Sequence, residues 1–325
     1  MGGRNPRRIG GSLQPSQSGK QLCGAPATGA GAGENENHAT ESGGRPAGGR
    51  HCRERRREPR RGGMSNTRWQ VRVLVPGLPL QACSVLLSSV TENGDKPRQI
   101  IVDTCFPQHD TLLLDGLQRL RVDKSDITGI INTHYHLDHC GGNFLFPQAW
   151  VYGSKLDFDW AISIYESVSG GETRRDVFRT FYPEATDEEF DHMDEARVLQ
   201  LLTWMWDPAI MGDHGRYRWW EDGDLDIDGL RILATPGHSP GHISVHVHGA
   251  EGPYLIAGDA RAFADEIAVG YDMPPHNREL FQRSRQHLDH FSGVVIPGHD
   301  DPFTQNHNLS ASARRSARPL EKKHS

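Results

Sequence analysis

His134-Tyr135-His136-Leu137-Asp138-His139 sets four potential metal ligands within six residues. Neutral imidazole and carboxylate are the groups that zinc and its neighbouring divalent ions take. In an extended turn alternate residues point the same way. His134 and His136 are therefore expected to grip one ion, with Asp138 and His139 turned toward a second. Three later elements supply what such a pair still lacks. Thr235-Pro236-Gly237-His238 offers a third histidine for the first ion, Gly258-Asp259-Ala260 a carboxylate that can bridge, and Gly298-His299-Asp300 a histidine to complete the second. Each lies just past an apolar run, the setting of a loop at a strand end, which is rigidly based yet open to substrate. Two adjacent cations acidify a water between them, and the hydroxide attacks a bound carbonyl or phosphoryl centre. Asp138 is placed to pass a proton to the leaving group.

The chain has 18 histidines, and most are read without chemistry. His246 and His248 alternate on a strand, and His287 and His290 share a helix face. None of these four sits at a strand-to-loop junction.

The elements that must position the ligands follow from periodicity. Trp69, Val71, Val73 and Val75 alternate as in a half-buried strand. Cys83 to Val90 and Gln99 to Val102 read as strands joined through the turn signal Asn93-Gly94. Thr111 to Leu120 has helical apolar spacing, and Ile127 to Ile131 is a short buried strand running into the histidine cluster. In a second half, Leu225 to Ile227 and Leu230 to Leu233 flank the hairpin signal Asp228-Gly229. His242 to Val247 and Tyr254 to Ala257 are further strands, Asn277 to Phe291 a helix, and Val294 to Ile296 a last strand. Strands followed by helices, twice over, give an α+β fold of two packed sheets with helices outside.

Between the halves lies an insertion, about 154–218. Thr186-Asp187-Glu188-Glu189 reads as a capping-box start. Phe190, Met193, Val198, Leu201, Leu202 and Met205 then form one apolar stripe. Trp160, Trp204, Trp206, Tyr165 and Tyr182 add aromatic side chains. The insertion begins and ends beside metal-bearing elements, so it is expected over the mouth of the site. Its spare aromatics, Trp204 or Trp206 among them, would line a pocket for an apolar part of the substrate.

Of the 325 residues 35% are hydrophobic, and the shortfall sits mainly in residues 1–63. That stretch is rich in Gly, Arg, Ser and Pro and cannot bury enough apolar surface to offset its ordering entropy, so it reads as disordered. It holds 12 Lys and Arg against 5 Asp and Glu; the whole chain carries −6, so the tail's +7 leaves −13 on the remainder. Arg53, Arg55, Arg56, Arg57, Arg60 and Arg61 could bind nucleic acid. An organelle-targeting peptide is opposed by Glu34, Glu36, Glu41, Glu54 and Glu58. The favoured reading makes Met64 the true start, since foldable sequence begins within a few residues of it. The expected organisation is a basic tail at 1–63, a hydrolase domain at 64–304 and a polar tail at 305–325. An acidic domain gives no support to nucleic acid as a partner. No apolar run reaches the length of a membrane span, and no apolar region of the signal-peptide kind is read in the sequence. Five scattered cysteines, Cys23, Cys52, Cys83, Cys105 and Cys140, suit a reducing cytoplasm.

These ordered pieces resemble the metallo-β-lactamase superfamily: the early Asp of Val102-Asp103-Thr104, then His134-x-His136-x-Asp138-His139, His238, Asp259 and His299. The resemblance runs from about Arg68 to Phe303. It implies an αββα sandwich of two mixed β-sheets flanked by helices, with the metals at one edge between the sheets. It implies His134, His136 and His238 on the first ion, Asp138, His139 and His299 on the second, and Asp259 across both. Two zinc ions per chain are the expected cofactors, with iron, manganese or cobalt as alternatives. Asp103 is expected to support the site from outside the ligand set, orienting a histidine or the loop.

Within the superfamily, Asp259 stands where β-lactamases of the common type carry Cys, and His136 where flavodiiron proteins carry Glu. Too little chain follows His299 for a glutathione-binding region like that of glyoxalase II. Too little lies between Asp259 and His299 for the extra domain of RNA-cutting members. Asn132 to Asn143, Thr235 to His242, Ala257 to Ala260 and Gly298 to Asp300 resemble the N-acyl homoserine lactonase branch. Opening of a lactone or related carboxylic ester is the expected activity, on a small molecule with an apolar part. Thioester or phosphodiester hydrolysis is the alternative, and a non-catalytic metal-site protein the third option. A homodimer is admitted. Two positions depart from the lactonase pattern. Ala262 replaces a Tyr that helps polarise the lactone carbonyl, for which Tyr135, Tyr217 or Tyr271 are candidate substitutes. Cys105 replaces the usual Gly after Asp103-Thr104.

Overall fold

The computed structural model describes residues 67–79, 81–91, 95–191, 214–222, 227–265 and 275–306. Residues 1–63, the Asn93-Gly94 turn, the stripe from Met193 to Met205 with Trp204 and Trp206, Leu225, Tyr271 and the tail from 307 onward lie outside them.

Two leaves of strand make up the centre. The first contains β1 (Trp69–Val75), β2 (Ser84–Ser89), β3 (Gln99–Val102), β4 (Ile127–Ile131), β5 (Trp150–Gly153) and β6 (Tyr217–Trp219), side by side in that order. Pairing is antiparallel through β3 and parallel from β3 to β6. The second contains β7 (Leu230–Ala234), β8 (Ile243–Gly249), β9 (Gly252–Gly258), β10 (Gly293–Pro297) and β11 (Phe303–Gln305), antiparallel except between β9 and β10. The expected two sheets are thus two mixed leaves, hydrogen-bonded to each other through one parallel pair, Trp69 with Gly249.

Period-two alternation sorts side chains between layers. In β3, Ile100 and Val102 face the second leaf while Ile101 faces outward; in β2, Val85 and Leu87 contrast with Leu86 in the same way. The inner core is completed by Trp69, Ile131, Ile243, Val245, Val247, Ile256 and Ile296. Full burial of such side chains stabilises by about 1.5–3 kcal/mol each. On the outer face of the first leaf lie α1 (Asp110–Arg119), α3 (Lys155–Ser169) and α4 (Arg174–Phe181). α1 buries Leu113 and Leu117, one turn apart. α6 (Arg278–Leu288) covers the second leaf through Leu288. The layers run α, β, β, α.

From 154 to 191 the insertion is mainly helical, and it ends in β6 at Tyr217. Ser154 caps α3, accepting from Asp157 N, and Thr173 caps α4, accepting from Asp176 N. The capping box heads α5 (Asp187–Asp191): Thr186 N donates to Glu189 Oε2 at 2.8 Å, and Glu189 N to Thr186 Oγ1 at 3.1 Å. Asp228-Gly229 forms a tight turn closed by Leu230 N donating to Ile227 O at 2.9 Å, Ile227 is not itself in a strand, and the rest of the expected strand at 225–227 lies outside the described residues. No helix among the described residues is long and apolar enough to cross a membrane.

Candidate metal centre

All seven expected ligands meet at one end of the two leaves. His134 and His136 follow β4, and Asp138 and His139 lie in the short α2 (Leu137–Cys140) after it. His238 follows β7, Asp259 follows β9, and His299 follows β10. Six of the seven are buried, and Asp138 keeps 14% of its side chain exposed. Three sets have ligand atoms within 4.8 Å of one another: His134, His136 and His238; His134, His139 and Asp259; Asp138, His139 and His299.

Imidazole nitrogens crowd together. His136 Nδ1 lies 3.0 Å from both His134 Nε2 and His238 Nε2. His139 Nε2 lies 3.4 Å from His299 Nε2 and 3.6 Å from Asp138 Oδ2. Asp259 spans the two clusters: Oδ1 is 3.3 Å from His139 Nε2, while Oδ2 is 3.4 Å from His238 Nε2 and 3.3 Å from His299 Nε2. Asp259 Oδ1 is buried without a hydrogen bond. Lone pairs converging on one point beside such a carboxylate oxygen are what a cation satisfies and protein donors here do not. The residues present fit divalent metal.

Charge bears this out. Burial, then neighbouring histidines, hold His134 well below the ordinary value of 6.5; burial takes His136 down to about 4 and His238 well below, leaving neutral, ligand-competent rings. For His139 burial acts in the same direction, but the carboxylates of Asp259, Asp138 and Asp103 outweigh it and push the ring well up. His299 is raised in the same way, chiefly by Asp259 against its burial. Burial works to raise Asp259, yet His299, His139 and His238 take it well below the carboxylate range.

Supporting groups fix the ring orientations. Asp103 sits in the left-handed region with φ 58°, as does Cys105 with φ 61°. That is the backbone a glycine would take at Cys105. It lets the Asp103 carboxylate accept from Thr133 N at 2.8 Å, Thr133 Oγ1 at 2.7 Å and His139 Nδ1 at 2.8 Å. His139 therefore presents Nε2 to the cluster. Asn132, Asn143 and Thr104 tie the 132–143 loop through His139 O and one another. Gly258, at φ 53°, has no room for a side chain: a Cβ would meet His242 Nε2 and Thr133 Oγ1 at 2.8 Å each.

Three residues of the site were missed by sequence reasoning. His242 is buried; its Nδ1 is 2.8 Å from Thr235 Oγ1, and its Nε2 accepts from Asp259 N at 3.0 Å. It aims the spanning carboxylate, and the signal was its place in the Thr235 to His242 run. Asp157, fully buried, accepts from Tyr135 N at 2.8 Å and Gly241 N at 3.0 Å, joining the two histidine loops. Tyr182 Oη lies 3.1 Å from His136 Nε2; nothing in its spacing announced this. His246 packs on Phe291, away from the cluster.

The candidate substitutes for the Tyr absent at Ala262 fare differently. Tyr135 and Tyr217 both point into the outer core around Phe158, with ring centroids 5.3 and 5.1 Å from it. Ala262 itself is buried, and its carbonyl accepts from His299 N at 2.7 Å. Neither tyrosine reaches the cluster.

An imidazole and carboxylate cluster at the end of an αββα sandwich defines a class, metal-dependent hydrolases of one architecture. The sequence profile of the metallo-beta-lactamase superfamily matches residues 98–323, and the chain belongs to that superfamily. It is 28% identical over 210 residues to metallo-beta-lactamase domain-containing protein 1 of Xenopus laevis, covering 64% of this chain and 68% of that one. It is 27% identical over 194 residues to an N-acyl homoserine lactonase of Bacillus thuringiensis, covering 58% of this chain and 62% of the lactonase. Against these and the mouse relative the match spans 60% to 68% of their length. Among solved structures, AidC, a dizinc quorum-quenching lactonase, is similar with a TM-score of 0.50 at 17% identity, over 71% of this chain and 77% of AidC. The hydrolase AbOPH is similar with a TM-score of 0.50 at 17% identity, over 75% of this chain and 80% of AbOPH.

Proposed function

We propose that this chain opens a lactone or a related carboxylic ester with the help of two divalent ions, zinc first among the candidates. His134, His136 and His238 would hold one ion, Asp138, His139 and His299 the other, with Asp259 across both. The observation that carries this reading is Asp259, whose two oxygens face histidines of both sets at 3.3 to 3.4 Å. Bound there, the ions supply an activated water near neutral pH and an electrophile for the substrate oxygen. Asp259 fixes the spacing of the two ligand sets, and His242 fixes Asp259. Asp103 keeps the His139 proton on Nδ1, away from the cluster. Asp138, the most exposed ligand, carries a proton to the departing oxygen.

The similarity in sequence to an N-acyl homoserine lactonase supports a lactone or ester substrate, and thioester or phosphodiester hydrolysis is the second reading because Ala262 stands where the lactonase pattern has Tyr. Cys83, Cys105 and Cys140, buried and not disulfide-bonded, support a reducing compartment such as the cytoplasm. The test is a panel of acyl lactones, aryl esters, thioesters and bis-aryl phosphates with zinc-loaded enzyme. Turnover of the phosphodiesters or thioesters alone would overturn the ester reading.

A further inference from the structure

The insertion brings two hydrogen-bond donors to the cluster that the ligand set does not use. Tyr182, just past α4, is buried with its Oη 3.1 Å from His136 Nε2. His136 turns its other nitrogen, Nδ1, toward His134 and His238. A ligand nitrogen offers a lone pair, so the ring's proton belongs on Nε2. That N–H donates to Tyr182 Oη, and the phenol's own hydrogen is left over. Among the described residues Tyr182 Oη has no second partner.

Trp160, on α3, stands in the same wall. Its ring centroid is 5.8 Å from that of His136 and 5.7 Å from that of Tyr182. Its buried Nε1–H has no acceptor either. Buried donors in native proteins are nearly always satisfied, and an exception calls for a partner the protein itself does not supply. One unsatisfied indole N–H, beside a phenol with a hydrogen to spare and next to His136, points to an acceptor that arrives with the substrate.

We propose that the Tyr182 hydroxyl, with Trp160 Nε1–H beside it, binds the carbonyl oxygen of a carboxylic ester or lactone next to the His134, His136 and His238 set. Tyr182 then does from the insertion what the Tyr absent at Ala262 would do from the end of β9. The assignment rests on the ester reading above. As water adds to the carbonyl carbon it gives a proton to Asp138 and the C=O π pair moves onto that oxygen; when the pair returns, the ester C–O bond breaks and the departing oxygen takes the proton from Asp138. The phenol and indole meet the growing negative charge with hydrogen bonds and keep their protons, which is the geometry of an oxyanion site.

Tyr182→Phe keeps the ring that stacks on Phe178 at 5.1 Å and removes only the hydroxyl. Three quantities are measured on wild type, Tyr182→Phe and, as a second variant, Trp160→Phe. These are metal content under chelator competition, calorimetric affinity for an alkyl phosphonate monoester as a tetrahedral anionic probe, and kcat and KM on the best ester of the panel. In Tyr182→Phe, metal content should hold while phosphonate affinity falls about 10-fold and kcat about 100-fold. Trp160→Phe should shift phosphonate affinity and kcat in the same direction by less. Unchanged phosphonate affinity in both variants would overturn the proposal. So would recovery of Tyr182→Phe activity by excess metal, which would assign the phenol to holding His136 alone. Should wild type cleave no ester, the ester reading falls, and phosphonate affinity still decides whether Tyr182 forms an anion-facing subsite.

Discussion

Asp103→Asn exchanges one carboxylate oxygen for an NH2 group and leaves the backbone alone, because Asn tolerates the left-handed region that Asp103 occupies at φ 58°. The remaining oxygen can keep the bond from Thr133 N, now 2.8 Å. The NH2 then faces Thr133 Oγ1 and His139 Nδ1, which today lie 2.7 and 2.8 Å from Oδ2. The Thr133 hydroxyl can rotate to accept. His139 cannot adapt so cheaply: Nδ1 stays bonded only by giving up its hydrogen, which moves the ring proton to Nε2. That nitrogen lies 3.3 Å from Asp259 Oδ1 and 3.4 Å from His299 Nε2, inside the second ligand set. An ion must then displace a proton or break the new bond. Loss of such an outer partner costs about 10- to 100-fold in metal affinity, or about 1.4–2.7 kcal/mol. The penalty should fall mainly on the second ion, because Asp103 holds His139 directly and reaches the first set only through Thr133 Oγ1, which lies 3.1 Å from His134 Nδ1. Zinc titration against a chromophoric chelator resolves the two affinities. Equal weakening of both, or none, would refute the assignment of Asp103 to the His139 tautomer.

His238→Ala should weaken the first ion and His299→Ala the second, read as metal per chain after dialysis; a single tight ion indifferent to His299→Ala would remove the second site. Gly298→Ala should weaken both ions together, since its Cβ would collide with Asp259 Oδ1 and drive that carboxylate off both sets; loss of one ion alone would contradict this. His242 is lowered by burial from 6.5 to about 3, so below pH 6.5 the unfolded chain takes up a proton the folded one refuses. Its contribution is full above that pH and is lost as pH falls from 6.5 toward 3. His242→Gln should therefore flatten the pH dependence of denaturant midpoints of metal-free protein, and an unaltered slope between pH 4 and 6 would count against it.

The ligand histidines were legible because the loops that carry them open directly after apolar strands, with His134 three residues past β4, His238 four past β7 and His299 two past β10, a pattern that surface histidines rarely produce. Strand faces were legible for the same reason: Ile100, Ile101 and Val102 alternate between two cores. Short strands were not. Trp150–Gly153 and Tyr217–Trp219 are four and three residues long, too brief for periodicity, and their pairing with each other spans the whole insertion. The pairing of β7 with β8 was not legible, because a Gly turn signals a change of direction without saying what pairs beyond it. Tyr182 was hidden because a helix end reaches His136 only through tertiary packing. Cys105 is the opposite case: its departure from Gly was visible, and its left-handed backbone explains why Gly is usual there.

Strand pairing between the leaves is confined to Trp69 with Gly249, and bonds such as Ile243 N to Thr133 O and Cys83 N to Gly298 O, with the shared apolar core, supply the rest of their attachment. The ligands are divided between those leaves, His134 to His139 on one and His238, Asp259 and His299 on the other. An ion shared by His139 and His299 would close a loop of 160 residues. A covalent cross-link of that span removes about 5 kcal/mol of chain entropy from the unfolded state. Metal would thus act as a clasp as well as a reagent, and stripping it would let the halves of the sandwich breathe apart along their shared edge. Amide exchange around Trp69 and Gly249 should then report on metal loading.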